Sequence, residues 1–235
     1  FHMLNRPGTL TVDEYSLEKN VKPDPAKFQE GMVSLNFDDG LKSAFQNALP
    51  ILDASGLKSS HFVVTGYMNF PGYMSAAEIL LVENAGHEIG GHTKTHADLT
   101  MLSDEEMYDE IVGSKNELQA LGLMISSFVY PFGAHNVKTD AVIKAAGFTN
   151  ARITDGGFTK KDENKYLLER RRIDENTTFA MAKAWIDNAI DSKGWEILGF
   201  HGIDDSGDSN TTSPALLQEI IDYLLEKNVL VVTMS

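Results

Sequence analysis

"MVSLNFDDG", residues 32–40, ends a largely apolar run in two adjacent carboxylates, Asp38 and Asp39, followed by Gly40. Like charges repel, and an ionised carboxylate is costly to bury without a partner. A surface turn carries such a pair harmlessly, whereas a metal site needs it. The decision rests on what the rest of the chain brings to the same end of the same sheet.

Outward from this stretch, strand and helix patterns alternate. "MVSLNF" (32–37) reads as a strand, "LKSAFQNALPILDASG" (41–56) as a helix and "SSHFVVTG" (59–66) as a second strand. "SAAEILLVENAG" (75–86) predicts a helix with Ser75 as N-cap and Glu78 completing a capping box. "HEIGG" (87–91) is a short strand, and "SDEEMYDEIVGSKNELQALG" (103–122) is a helix with acids in its first turn. "SSFVYPFG" (126–133), "FTNARIT" (148–154), "YLLERRRI" (166–173), "WEILGFHG" (195–202) and "VLVVTM" (229–234) follow as strands. Helical stretches over 139–147, 177–190 and 213–228 lie between most of them. About seven alternations with short connections imply βαβ units and a parallel sheet. Their number in roughly 200 residues fits a closed or nearly closed barrel better than two domains. Residues 1–30 are polar, with Pro7, Pro23 and Pro25, and read as an arm or lead-in strand before a domain over 31–235.

A net charge of −14 argues against nucleic acid and against an anionic membrane surface. No apolar run approaches the roughly 20 residues of a membrane-spanning helix. With no cysteine in 235 residues, disulfides and thiolate zinc sites are excluded, and any metal must sit on His, Asp or Glu. No leader is visible, but a removed leader leaves the same trace, and the expected setting is secreted or cell-envelope.

In a parallel barrel the C-terminal strand ends carry function. Here they carry Asp38 and Asp39, His92 and His96, Pro131-Phe132-Gly133, Arg152 and His201. "HTKTH" (92–96) spaces two histidines by four; on one helical turn their Cβ atoms would lie roughly 5–6 Å apart, suiting one ion. "HEIGGH" (87–92) imitates the zinc-protease HExxH, but its second histidine comes one residue late and Gly90-Gly91 oppose a helix.

"NFDDG", "HTKTH", "YPFG" and "GFHG", in this order, resemble the motif series of the polysaccharide deacetylases, a carbohydrate esterase group with a distorted (β/α)7 barrel. The resemblance covers about 31–234. It implies that Asp39, His92 and His96 bind one divalent metal, zinc with cobalt or nickel as substitutes. It also implies that Asp38 is the general base, that backbone N–H near Phe132 serves the oxyanion, and that His201 is the general acid. The implied substrate is an acetylated carbohydrate polymer such as chitin oligomers, peptidoglycan or exopolysaccharide, losing N-acetyl or O-acetyl groups. The chemistry is consistent with this. Two imidazoles and a carboxylate leave coordination positions open, and the ion's charge relieves the repulsion between Asp38 and Asp39. The sequence leaves the oligomeric state open.

Three departures from the family pattern stand out, one of them the absence, between 150 and 175, of the Asp-Trp pair common to the fourth motif. Val129 occupies the place of the arginine that braces the catalytic aspartate, and Gly199 the place of a leucine near the acetyl methyl. Leu198, Trp195 or Phe200 are candidates for that wall. The lost arginine is the only support for an alternative, an inactive carbohydrate-binding protein on the same scaffold. Arg152 is the expected replacement, since Phe148, Asn150 and Arg152 share one face of an ideal strand. Arg170, Arg171 and Arg172 are the other candidates. His61 and His87 read as core histidines, His135 as a loop residue, Tyr67, Met68 and Tyr73 as loop packing or a sugar wall, and "DDSGD" (204–208) as a solvated acidic turn.

Overall fold

The computed structural model describes residues 30–154, 156–160 and 163–235; the expected arm, up to residue 29, lies outside them. β1 (Met32–Phe37) leads into α1 (Leu49–Ser55), then β2 (Ser60–Val63), α2 (Ala76–Asn84) and β3 (Glu88–Gly91). Next come α3 (Asp104–Tyr108) and α4 (Ser114–Ala120), β4 (Ser127–Val129), α5 (Val137–Ala145) and β5 (Asn150–Arg152). The chain continues through β6 (Arg171–Arg172), α6 (Phe179–Ser192), β7 (Trp195–Phe200), β8 (Gly202–Ile203), β9 (Thr211–Thr212), α7 (Pro214–Glu226) and β10 (Leu230–Val231).

The main sheet runs β5-β4-β3-β2-β1-β7-β6, and every pairing in it is parallel. The segment before β6 returns to β5: Ile153 N–H donates to Leu168 O at 2.8 Å and Leu168 N–H to Ala151 O at 3.0 Å. That contact closes the curl into the distorted barrel the resemblance implies. β10 pairs with the lower half of β1, at Met32 and Val33, while β2 pairs with its upper half, at Asn36 and Phe37.

Several elements are shorter than their apolar patterns suggest. The stretch 166–173 is strand only at Arg171–Arg172, and 229–234 only at Leu230–Val231. Two expected helices are interrupted by wide π turns, Ala44–Ala48 and Asp109–Gly113, which no local propensity announces. The capping box at Ser75 forms as expected, with Glu78 N–H donating to Ser75 Oγ and Ser75 N–H to Glu78 Oε2.

Apolar side chains divide by face. Val33, Leu35, Phe37, Leu198 and Phe200 point outward under α6 and α7, and Phe128 and Ala151 under the helices of the other half. Inside the barrel, Phe62, Val129, Leu168, Ile197 and Met234 form a small apolar plug. This plug is the floor beneath the strand ends.

Candidate active site

At the end of β1, Asp38 N–H donates to Phe200 O at 2.9 Å, which ties the acid pair to the end of β7. Phe37 and Phe200 are register partners, so Asp38 and His201 are the next pair up, on neighbouring strand ends. Asp38 is buried, and the chain then turns through two left-handed residues, Asp39 (φ 69°) and Gly40 (φ 71°). The glycine was expected to make this turn; the aspartate shares it.

Asp39, His92 and His96 converge. Each offers one ligand atom, and the three atoms lie within 4.8 Å of one another. Asp39 Oδ1 stands 3.4 Å from His92 Nε2 and 3.6 Å from His96 Nε2, and it is closed to solvent with no hydrogen-bond partner. His92 Nδ1 donates to Val129 O at 2.8 Å, which leaves Nε2 as the lone-pair side facing the cluster. A buried carboxylate oxygen facing two imidazole nitrogens at non-bonded distance fits a divalent cation held by all three.

The histidine pair is not on a helix, contrary to the spacing argument. Thr93 (φ 65°) and His96 (φ 60°) are both left-handed, and the two rings meet edge to face with centroids 4.8 Å apart. The loop keeps this shape because Glu110 grips it: Lys94 N–H, Thr95 N–H and Thr95 Oγ1 donate to its carboxylate at 2.8, 2.9 and 2.6 Å. Glu110 reaches the loop from the π turn Asp109–Gly113. Sequence reading missed it, since one glutamate in an acidic helix carries no signal.

The missing arginine is one strand away at the same level. Val129 and Arg152 are register partners on β4 and β5, and both are buried. Arg152 Nη2 donates to Asp38 Oδ1 at 2.5 Å and to Oδ2 at 2.7 Å, while Nη1 donates to Ile153 O. The grip on Asp38 is therefore by a single nitrogen and not by a two-nitrogen fork. Burial alone would raise the Asp38 carboxyl; the Arg152 guanidinium, with Arg170, His201 and His92, outweighs it and holds the group well below the carboxylate range. Burial also raises Asp39, and contact with His92 more than offsets this. Burial pulls His201 below its ordinary value, against the opposing pull of Asp38 and Asp39.

Phe132 is left-handed (φ 59°, ψ 3°) and exposed, and its ring lies edge-on over His96 at 4.6 Å. Of the seven non-glycine residues with positive φ among the described residues, Asp39, Thr93, His96 and Phe132 belong to this site. Such strain persists where surrounding contacts enforce it. Of the arginine triplet, Arg171 lies beside Glu196 at 3.8 Å, Arg172 pairs with Asp174, and Arg170 is buried under the site. Burial first, then the Arg152 charge, pulls Arg170 down to about 10. His61 and His87 are core residues sharing the Ser59 hydroxyl, and His135 meets Asp140. Tyr67 and Tyr73 pack together at 4.9 Å.

The polysaccharide deacetylase family profile matches residues 26–151, more than half of the chain. YxkH of Bacillus subtilis, whose name places it among polysaccharide deacetylases, is 25% identical over 181 residues, covering 77% of this chain and 64% of that protein. A poly-β-1,6-N-acetyl-D-glucosamine N-deacetylase of Staphylococcus aureus is 22% identical over 191 residues, covering 75% and 64%. The chain thus spans just under two thirds of the length of these relatives. A family 4 carbohydrate esterase from Streptomyces lividans, in complex with acetate, superposes with a TM-score of 0.61 at 22% identity, covering 86% of this chain and 91% of that one.

Proposed function

Because the chain belongs to the polysaccharide deacetylase family, we propose that it is a metal-dependent hydrolase that removes N-acetyl groups from an N-acetylglucosamine polymer. One observation carries this reading: a buried aspartate clasped by arginine stands beside three converging metal-type ligands. The S. aureus relative's named substrate supports the choice of polymer.

Asp39, His92 and His96 hold the ion, which we take as zinc; two imidazoles and one carboxylate also suit cobalt or nickel. When bound, such an ion lowers the pKa of water and polarises a carbonyl. The chain's own groups do the remainder. Asp38, fixed and ionised by Arg152, accepts the proton of the attacking water. Backbone N–H near Phe132 is the donor this reading gives to the oxygen that gains charge. His201, one register step from the β1–β7 pairing, gives a proton to the departing glucosamine nitrogen. The inactive-scaffold alternative loses its support, since Arg152 fills the office of the arginine absent at Val129. On this reading the protein works outside the cytoplasm or in the cell envelope, where such polymers lie. Among the described residues no helix is long and apolar enough to cross a membrane.

The test is acetate release from chitin oligomers, β-1,6-linked N-acetylglucosamine oligomers, peptidoglycan fragments and acetylated xylan. Enzyme is stripped with chelator and reloaded with zinc, with Asp38→Asn as control. Acetate from a glucosamine polymer, lost on stripping and restored by zinc, is expected. Silence on all four with zinc restored overturns the reading; release from xylan alone moves it to O-acetyl groups.

A further inference from the structure

Gly199 stands in β7 opposite Asn36 of β1 and Arg172 of β6. A Cβ placed on it would lie 2.4 Å from Arg170 Cδ and 3.1 Å from both Arg170 Nε and Nη1. The Arg170 side chain therefore runs across bare backbone and reaches Gly199 O with Nη1 at 3.4 Å. It is 5% exposed, and among the described residues it forms no ion pair. Its Nε is closed to solvent and unpartnered, as are Arg152 Nε and both amide atoms of Asn36.

This arrangement carries two costs. A glycine within a strand weakens it, and a buried cation without a counter-ion is expensive. Gly199 precedes Phe200, whose carbonyl accepts the Asp38 N–H, so Arg170 crosses the backbone one residue below the strand end that carries Asp38, where the Arg152 and Asp38 charges act on it. Arg152 holds Asp38 through one nitrogen, with Nη1 on Ile153 O and Nε unpartnered, so the carboxylate contact lacks the two-nitrogen fork that would fix the plane of the guanidinium. A second guanidinium repels Arg152 and attracts the carboxylate.

We propose that Arg170 is a second positioning residue of this site, admitted by the missing side chain at Gly199, and that its charge holds the Arg152 guanidinium on the Asp38 carboxylate. The inference rests on the proposed function for its kinetic consequence only; the restraint on Arg152 is a property of the chain itself. Gly199 and Arg170 are then a matched pair, and a side chain at 199 is incompatible with arginine at 170.

The experiment compares Arg170→Ala, Arg170→Lys, Gly199→Ala and the Arg170→Ala/Gly199→Ala double variant in zinc-loaded full-length protein. Arg170→Ala is expected to lower kcat roughly 10- to 100-fold with KM little changed, the scale of misplacing a catalytic group. Arg170→Lys restores most of it. Gly199→Ala lowers both kcat and Tm in the wild-type background and neither in the Arg170→Ala background. Nitrogen-15 spectra of the Arg152 guanidinium give a readout independent of turnover: restricted, separately resolved Nη signals in wild type, averaged ones in Arg170→Ala. Unchanged kcat with unchanged Arg152 signals in Arg170→Ala overturns the inference, as does an Arg170→Lys variant no better than alanine. If wild type releases no acetate, the function reading fails, and the Arg152 spectra and the Tm cycle alone decide this one.

Discussion

Two carboxylates stand at opposite ends of this barrel, Asp38 buried and Glu88 half-buried, and their partners are of opposite kinds. Asp38, at the C-terminal end of β1, is held by a guanidinium. Glu88, at the start of β3, is held by neutral donors: Ser60 Oγ at 2.6 Å, Ser127 Oγ at 2.5 Å, Met234 N–H at 2.8 Å and Ser235 N–H at 3.2 Å. Burial raises the Glu88 carboxyl above its ordinary value despite those four donors, whereas charge wins over burial at Asp38. Around Glu88 the neighbours are also engaged: Asn150 Nδ2 donates to Ser127 Oγ and to Met234 O. Around Asp38 the backbone is left-handed at four non-glycine positions, and buried polar atoms stand unpartnered. One end is built to be chemically poised and the other to be held by neutral hydrogen bonds, with Asn150 Oδ1 left unpartnered. In one barrel, a well-bonded carboxylate does not by itself mark a site; the sign and fixity of its partner do.

The largest effect that tests this contrast is at Asp38. Asp38→Asn should lower turnover by roughly 10²–10⁴, the usual share of a general base, while a full equivalent of metal stays bound. Turnover within a few-fold of wild type would break the contrast outright. Next comes Glu110, which holds the histidine loop: Glu110→Gln should weaken metal binding about 10- to 100-fold in a chelator competition. If affinity is unchanged, the strained loop keeps its shape without it.

Glu88→Ala should cost about 1–3 kcal/mol in urea unfolding, by stranding buried donors, with kcat per folded molecule unchanged. A selective loss of kcat would mean the two ends are coupled.

The smallest effect extends the comparison to the neutral network outside the sheet. His61 is pushed down to about 3, by burial first and by His87 second, so the folded state resists its protonation while the unfolded chain takes up a proton near 6.5. Between those values the unfolded state binds more protons, and stability must fall as pH falls, by about 1 kcal/mol per pH unit. His61→Phe keeps a ring against Phe37 and should flatten the stability slope between pH 6 and 4. Parallel slopes would remove His61 from the account.

Much of the poised end was legible because its residues sit directly after strand patterns, and strand ends in a parallel barrel meet by construction. The Arg152 inference needed only alternation along β5 plus the absence at Val129. What stayed hidden depends on contacts that cross the chain. The π turn that aims Glu110 has no local signature, and the Arg170–Gly199 fit is a steric relation between β7 and the residue before β6. The histidine loop was misread as a helical turn because spacing alone does not distinguish four residues of helix from a bend with two left-handed residues. The shortened strands have a similar origin: 166–173 carries a strand pattern, yet only Arg171 and Arg172 pair in the sheet.

The placement of β10 bears on how the molecule is made. β1, the strand that carries Asp38, is flanked by β2, β7 and β10, and the Ser34 hydroxyl is bonded to Val232 O across 198 residues. On a ribosome adding roughly 5–20 residues per second, about 7–26 seconds separate the synthesis of β2 from that of β7. During that interval one edge of β1 is an open template of unpaired backbone groups, the kind of edge that recruits other strands. Folding dominated by such distant pairings is slow. The barrel therefore closes late, and the nascent chain's exposure to misassembly is greatest at the strand its chemistry depends on.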